Sequence, residues 1–281
     1  MLRSILVALD DTPGAFAARD TAIALARRTG AMLTLAIVLD RPHTLQAHEP
    51  VPIGGAAFAE RRNAALAAQL EAEAEKMLAA ASTACGDLPH TMLRLEEAPE
   101  EALLRAGAMH DLIVLGRDST LGREETEDGL APVIEALLKD GPRPLLVVPP
   151  GIAATGAEAG GQVLIGYDGS LPAQRVLQSL ALLGLAEGAT VKLLAANPDQ
   201  AEAARLAAEG AGYLRHHGLK VTEWAVTASR PAELLLAEVA DMPARMLVMG
   251  GFGRTGLRAL LLGTATKRLL RDVPCVVFVQ H

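Results

Sequence analysis

Residues 246–280 read MLVMGGFGRTGLRALLLGTATKRLLRDVPCVVFVQ. A short apolar run, Met246 to Met249, ends in Gly250-Gly251-Phe252-Gly253. Nine residues separate Gly253 from Gly263-Thr264, where a helical pattern begins that runs to Asp272. A second apolar run, Pro274 to Val279, follows. Glycine permits positive φ and lets backbone approach a ligand closely. A helix start adds orphan N–H groups and the positive end of the dipole, and Thr264 adds a hydroxyl donor. Between Gly250 and Thr264 the charged residues are Arg254 and Arg258, a net +2 with no acid. The stretch therefore reads as strand, anion-holding turn, helix and strand. A tight turn with an N-capping threonine is the purely structural alternative, and three glycines at this spacing weigh against it.

Upstream, the same alternation fills the second half of the chain. Val163 to Tyr167 is a predicted strand ending at Asp168-Gly169-Ser170-Leu171-Pro172. Helix Ala173–Leu185, strand Thr190–Ala196, helix Ala201–His217, strand Val221–Thr227 and helix Pro231–Ala240 follow. Residues 1–150 repeat the pattern. Strand Ser4–Leu9 ends at Asp10, helical periodicity runs from Ala17 to Arg28, and Met32–Leu39 is the next strand. A Pro- and Gly-bearing loop at 41–56 leads into a long Ala/Glu-rich helix at 57–84. Strand Thr91–Leu95, helix Pro99–Met109, strand Asp111–Leu115, helix Ala131–Lys139 and strand Leu145–Val148 complete this half. The small-residue segment 151–161 reads as a linker. Strands alternating with helices imply right-handed crossovers and a parallel sheet. The expected fold is α/β: two tandem doubly wound domains, 1–150 and 162–281, each with a five-stranded parallel sheet. Asp10 and Asp168 end the first strands, and Gly116 and Gly250 end the fourth, so each pair could face one crevice beyond the carboxyl ends of the strands. Turn residues without a ligand remain the alternative for either position alone.

The first half carries an altered copy of the glycine stretch. Gly116-Arg117-Asp118-Ser119 is followed, nine residues on, by Gly129-Leu130. Ser119 stands at the middle glycine and Leu130 at the hydroxyl position. Its loop sets Arg117 and Arg123 against five acids, Asp118, Glu124, Glu125, Glu127 and Asp128, a net −3. One like-charge contact at an effective dielectric near 20 costs about 4 kcal/mol before screening. The second half is the expected anion site and the first half is not.

Composition narrows the partners. The formal charge of −7 and an aromatic content of 2% argue against a nucleic-acid binder, which needs a basic footprint or stacking faces. No apolar run approaches the roughly 20 residues of a membrane span, and MLRSILVALDD does not read as a signal peptide. Cys85 and Cys275 show no metal-like spacing, and none of the seven histidines pairs with Cys, Asp or Glu at zinc-like spacing. A cytoplasmic setting is the expectation. No G-x-S-x-G elbow, catalytic triad or general base stands out.

G-x2-G-x9-G-[S/T] after the fourth strand, with Asp after the first, resembles the universal stress protein family. The resemblance covers both halves, as a tandem member, and implies an adenine nucleotide alpha hydrolase-like fold. From the family's ATP-binding members it implies phosphate contacts at Gly250, Gly253, Gly263 and Thr264, with the Ala265 N–H as a further donor. It implies ribose at Asp168 and adenine near Ala196. Arg254 joins the site on electrostatic grounds. ATP or another adenine nucleotide is the implied cofactor, with Mg²⁺ as a candidate companion ion. A stress-response sensor or regulator is the leading reading. A slow ATPase or autophosphorylating protein, and an interaction module without nucleotide, are the alternatives. The family's pairing through last strands implies an intramolecular pseudo-dimer, in which Leu145–Val148 and Cys275–Val279 hide each other's edges. Further homodimerisation stays open.

Overall fold

The computed structural model describes residues 1–40, 56–123, 130–152, 161–241, 244–251 and 264–281. The first half comprises β1 (Ser4–Leu9), α1 (Pro13–Thr29), β2 (Met32–Val38), α2 (Ala56–Cys85), β3 (His90–Leu95), α3 (Pro99–Gly107), β4 (Leu112–Gly116), α4 (Pro132–Asp140) and β5 (Leu145–Val148). The second comprises β6 (Gln162–Gly166), α5 (Leu171–Leu183), β7 (Thr190–Asn197), α6 (Gln200–His216), β8 (Lys220–Thr227), α7 (Pro231–Asp241), β9 (Met246–Gly250), α8 (Thr264–Asp272) and β10 (Val276–Gln280). The loop at 41–55, most of the linker and the turn at 252–263 lie outside the described residues.

Local chemistry sets the helix starts earlier than periodicity alone suggests. Thr12 accepts a hydrogen bond from the Ala15 N–H, and Pro13 takes the first helical position, where no N–H is needed. Ser170 likewise accepts from the Ala173 N–H at the start of α5, with Pro172 at the second helical position. Gly30 and Gly184 end α1 and α5 in the left-handed region, at φ 70° and 71°.

The two expected five-stranded sheets are joined into one ten-stranded sheet, in the order β3-β2-β1-β4-β5-β10-β9-β6-β7-β8. Each half has the order 3-2-1-4-5 of a doubly wound domain. Every neighbouring pair is parallel except β5–β10, which runs antiparallel with Val147 opposite Val277, Leu146 opposite Phe278 and Leu145 opposite Val279. The chain is an intramolecular pseudo-dimer. Side chains alternate along these strands, so Leu146, Val148, Val276 and Phe278 enter one apolar layer while Val147, Val277 and Val279 enter the other. Both layers are continuous across the seam. Helices cover both faces, which accounts for the near-continuous apolar strands. No described helix is long and apolar enough to cross a membrane.

Candidate functional site

In the second half the strand order reverses at β6, whose neighbours are β7 and β9. Beyond the carboxyl ends of these strands lies a crevice of about 300 Å³. It brings together Asp168, Ala196, Gly250, Thr264 and Ala265, five of the eight residues singled out from the sequence. Gly253, Arg254 and Gly263 fall outside the described residues. Leu194, Met249, Ala232, Leu235 and Leu269 give much of the remaining wall an apolar character, with Ser170 and Thr266 among the polar lining.

Each polar group is set by its element. Asp168 leaves β6 and turns at Gly169, which has a φ of 73°. Its Oδ1 accepts from the Ser170 N–H at 3.0 Å. Its Oδ2 has no hydrogen-bond partner among the described residues, and the side chain is half-buried beside the crevice. Ala196 sits near the end of β7, one residue before Asn197. Thr264 and Ala265 open α8 and are exposed, so the first N–H groups of that helix face the crevice mouth. The first turn of α8 carries no acid. Lys267 pairs with Glu135 of α4 at 2.9 Å, and Arg271 with Asp272 at 2.7 Å, so these cations of α8 are committed elsewhere. A half-free carboxylate, an open helix N-terminus and an apolar wall suit a ligand with hydroxyls, an anionic group and a flat apolar part. Among the described residues no cluster of three His, Cys, Asp or Glu could hold a metal ion.

The equivalent place in the first half is filled by the chain itself. Asp10 is 7% exposed and both its oxygens are used. Oδ1 accepts from Thr12 N at 3.0 Å and from Thr12 Oγ1 at 2.6 Å, and Oδ2 accepts from the Leu121 N–H at 2.9 Å. To supply that N–H, Leu121 takes a φ of 52°, a left-handed conformation unusual for a branched residue, with its side chain 2% exposed in the apolar layer. Asp118 Oδ2 accepts from Gly14 N at 3.3 Å, placing a carboxylate over the start of α1. Arg123 then ties the buried Asp40, at the exit of β2, to Glu100 of α3. Of the acids counted in this loop, Asp118 therefore sets its charge at the positive end of the α1 dipole.

Two features escaped the sequence reading. Gly250 does not have positive φ; a Cβ there would come within 2.8 Å of Ala173 N and 3.0 Å of Pro172 C. Gly116 has the same duty against Gly14 C, at 2.4 Å, and Ala15 N, at 2.5 Å. Both glycines let the first turn of a helix lie on the strand end, a requirement that holds with or without a ligand. Tyr167 is the second: it adjoins Asp168, and its hydroxyl donates to Glu209 Oε1 at 2.6 Å. Burial, and then that hydrogen bond, raise its pKa well above the ordinary tyrosine value.

Comparison with known proteins bears on this arrangement. The model of the universal stress protein family matches residues 1–149 and again 161–281. The universal stress protein Slr1230 of Synechocystis sp. (strain ATCC 27184 / PCC 6803 / Kazusa) is 25% identical over 172 residues, covering 60% of this chain. The match spans 58% of the length of that relative. A universal stress protein from Archaeoglobus fulgidus DSM 4304 superposes with a TM-score of 0.69 at 17% identity, covering 99% of this chain and 97% of that one. A structure from Pseudomonas aeruginosa UCBPP-PA14 superposes with a TM-score of 0.57 at 20% identity, covering 99% and 93%. These two likenesses are of fold. With both halves matched by the family model, the chain belongs to the universal stress protein family, as a tandem member.

Proposed function

We propose that the second half, 162–281, binds an adenine nucleotide such as ATP, and that the chain acts as a stress-response sensor or regulator through that bound nucleotide. The observation that carries this reading is the contrast between the two switch-point crevices. One is open, with Asp168 Oδ2 and the start of α8 available. The other is closed by Asp10, Asp118 and Leu121 of its own chain. In the open crevice Asp168 accepts from a ribose hydroxyl. Ala196 and the apolar wall take the base. Thr264 and the Ala265 N–H donate to phosphate, together with Gly250, Gly253, Gly263 and Arg254 of the glycine stretch. A magnesium ion would enter with the phosphates. The first half serves as a structural partner.

Denaturing the purified protein and identifying what is released tests the reading; an adenine nucleotide is expected. Thr264→Val removes one hydroxyl donor and should weaken nucleotide affinity about fivefold, near 1 kcal/mol. Gly253→Asp sets a carboxylate against phosphate and should cost on the order of a hundredfold. Titration calorimetry measures both. ATP found beside Asp10 and Gly116 in a crystal, or equal affinity in wild type and Gly253→Asp, would overturn it. Time-resolved ADP production, compared between wild type and Gly253→Asp, separates a sensor from a slow ATPase.

A further inference from the structure

In the second half, at the end of its strands opposite the crevice, α5 and α6 finish before β7 and β8 begin, and the end of α1 from the first half meets them there. Between them is a cavity of about 670 Å³. Its wall is built by both halves: Arg28 and Thr29 from the end of α1, the Leu180–Gly184 end of α5, Glu187, and the turn from His217 to Leu219 after α6. Neither half alone encloses it.

Arg28 lies along this wall. Its terminal nitrogens, Nη1 and Nη2, are tucked behind the wall, shut off from solvent, and neither has a hydrogen-bond partner. A guanidinium stays charged and carries five donors in a planar fork, so burying it unpaired is among the costlier states a side chain can adopt. The obvious acceptors are already taken. Leu180 O accepts from Gly184 N and Leu185 N, Ala181 O from Gly184 N, and Leu183 O from Leu2 N at 3.2 Å. Glu187 is exposed at the rim and forms no ion pair with Arg28. A second cation stands nearby: Arg245 donates through Nη2 to Leu185 O at 2.8 Å. Burial, and then the charge of Arg28, bring Arg245 down to about 10. Burial likewise lowers Arg28, against a smaller opposing pull from Glu187.

A poorly satisfied cation beside a roomy cavity, with a second cation close by, is a place where an anion lowers the energy of the whole. To meet an anion in the cavity the fork of Arg28 has to turn out from behind the wall, giving up a site where it has no hydrogen bond to lose. We propose that this cavity between the halves binds a small organic oxyanion, bearing carboxylate or phosphate, on the fork of Arg28. The planar fork matches either group bidentately. Leu183 and Leu219, both partly buried, pack against the apolar part of the ligand.

The test uses the full chain, purified without phosphate, with citrate and inorganic phosphate as probes in calorimetry and thermal unfolding. Wild type should bind at least one probe saturably, with Tm rising by a few degrees at a hundredfold excess over Kd. Arg28→Met should lose at least tenfold in affinity. In the absence of probe it should unfold no earlier than wild type, since it removes an unpaired charge. Arg28→Lys keeps the charge without the fork and should bind with intermediate affinity. It also serves should the methionine variant fail to fold. Thr264→Val, altered at the far end of the sheet, should bind the probes as wild type does. Absence of saturable binding in wild type would overturn the proposal. So would equal binding by wild type and the Arg28 variants, or binding weakened severalfold by Thr264→Val, which would place the anion in the crevice. Failure of nucleotide binding in the crevice would leave this result untouched.

Discussion

Asp10 and Asp168 hold equivalent positions at the ends of β1 and β6, yet their carboxylates meet different surroundings. Asp168 keeps one oxygen without a partner, whereas Asp10 gives its second oxygen to the N–H of Leu121, a residue 111 positions away. Gly250 and Gly116 are alike in the other direction: both exist for close packing against a helix start. Gly250→Ala should therefore destabilise the fold by about 1–3 kcal/mol through the forced shift of α5, measured by urea unfolding. Gly116→Ala, with closer backbone contacts, should cost at least as much. Cys275 offers a pH-dependent test. It is 4% exposed, and burial pushes its thiol up to about 12 from the ordinary 9.0. In the native protein at pH 8 it should resist iodoacetamide and react only after unfolding. The sign of the linkage follows from the raised native value: the unfolded thiol loses its proton first, so the unfolded state binds fewer protons above pH 9. The stability associated with Cys275 is fully present below about pH 9 and is lost between there and about 12. Cys275→Ala should flatten that decline in alkaline unfolding titrations.

At the scale of elements, the seam between β5 and β10 and the placement of α8 matter most. Phe278 is fully buried and lies opposite Leu146. Phe278→Ala should cost about 3–5 kcal/mol, because the cavity it leaves spans elements of both halves and cannot readily collapse. A denaturant titration should show one cooperative loss if the seam couples the halves, and a separate early step if it does not. Helix α8 is held from the first half: Lys267 reaches Glu135, and Arg117 Nη1 donates to Val273 O at 3.0 Å, just past the end of that helix. The helix starts were misjudged from the sequence because periodicity counts only residues that face the core. Thr12 and Ser170 start their helices through side-chain hydrogen bonds, which hydrophobic period does not register.

For the whole molecule, the ten-stranded sheet makes each half the cover for the other's edge. Residues 1–150 or 162–281 expressed alone would leave β5 or β10 with an unpaired row of N–H and C=O groups. Each should sediment as a dimer or larger species at micromolar concentration; a stable monomer of either half would show that the seam is dispensable. Alternation of strands and helices, the duplication and the glycine spacing were all legible in the sequence, since turn chemistry and side-chain period are local properties. From these, and the family resemblance, came the doubly wound halves, the pairing of the two last strands and five residues that meet in one crevice. The closure of the other crevice was legible only in part. Its acidic loop could be counted, but not the bond from Leu121 to Asp10, nor the turn of Asp118 onto Gly14. The cavity beside Arg28 could not be read at all, for its walls come from three helix ends far apart in the chain. Such contacts depend on which elements the packed sheet brings together, and no local pattern records that. The sequence by itself determined two copies of one α/β unit, because strand, helix and turn signals are local; only the tertiary structure decided that the copies join antiparallel, that one crevice closes on itself, and that the Arg28 fork is shut in where the halves meet, because these depend on contacts between distant elements.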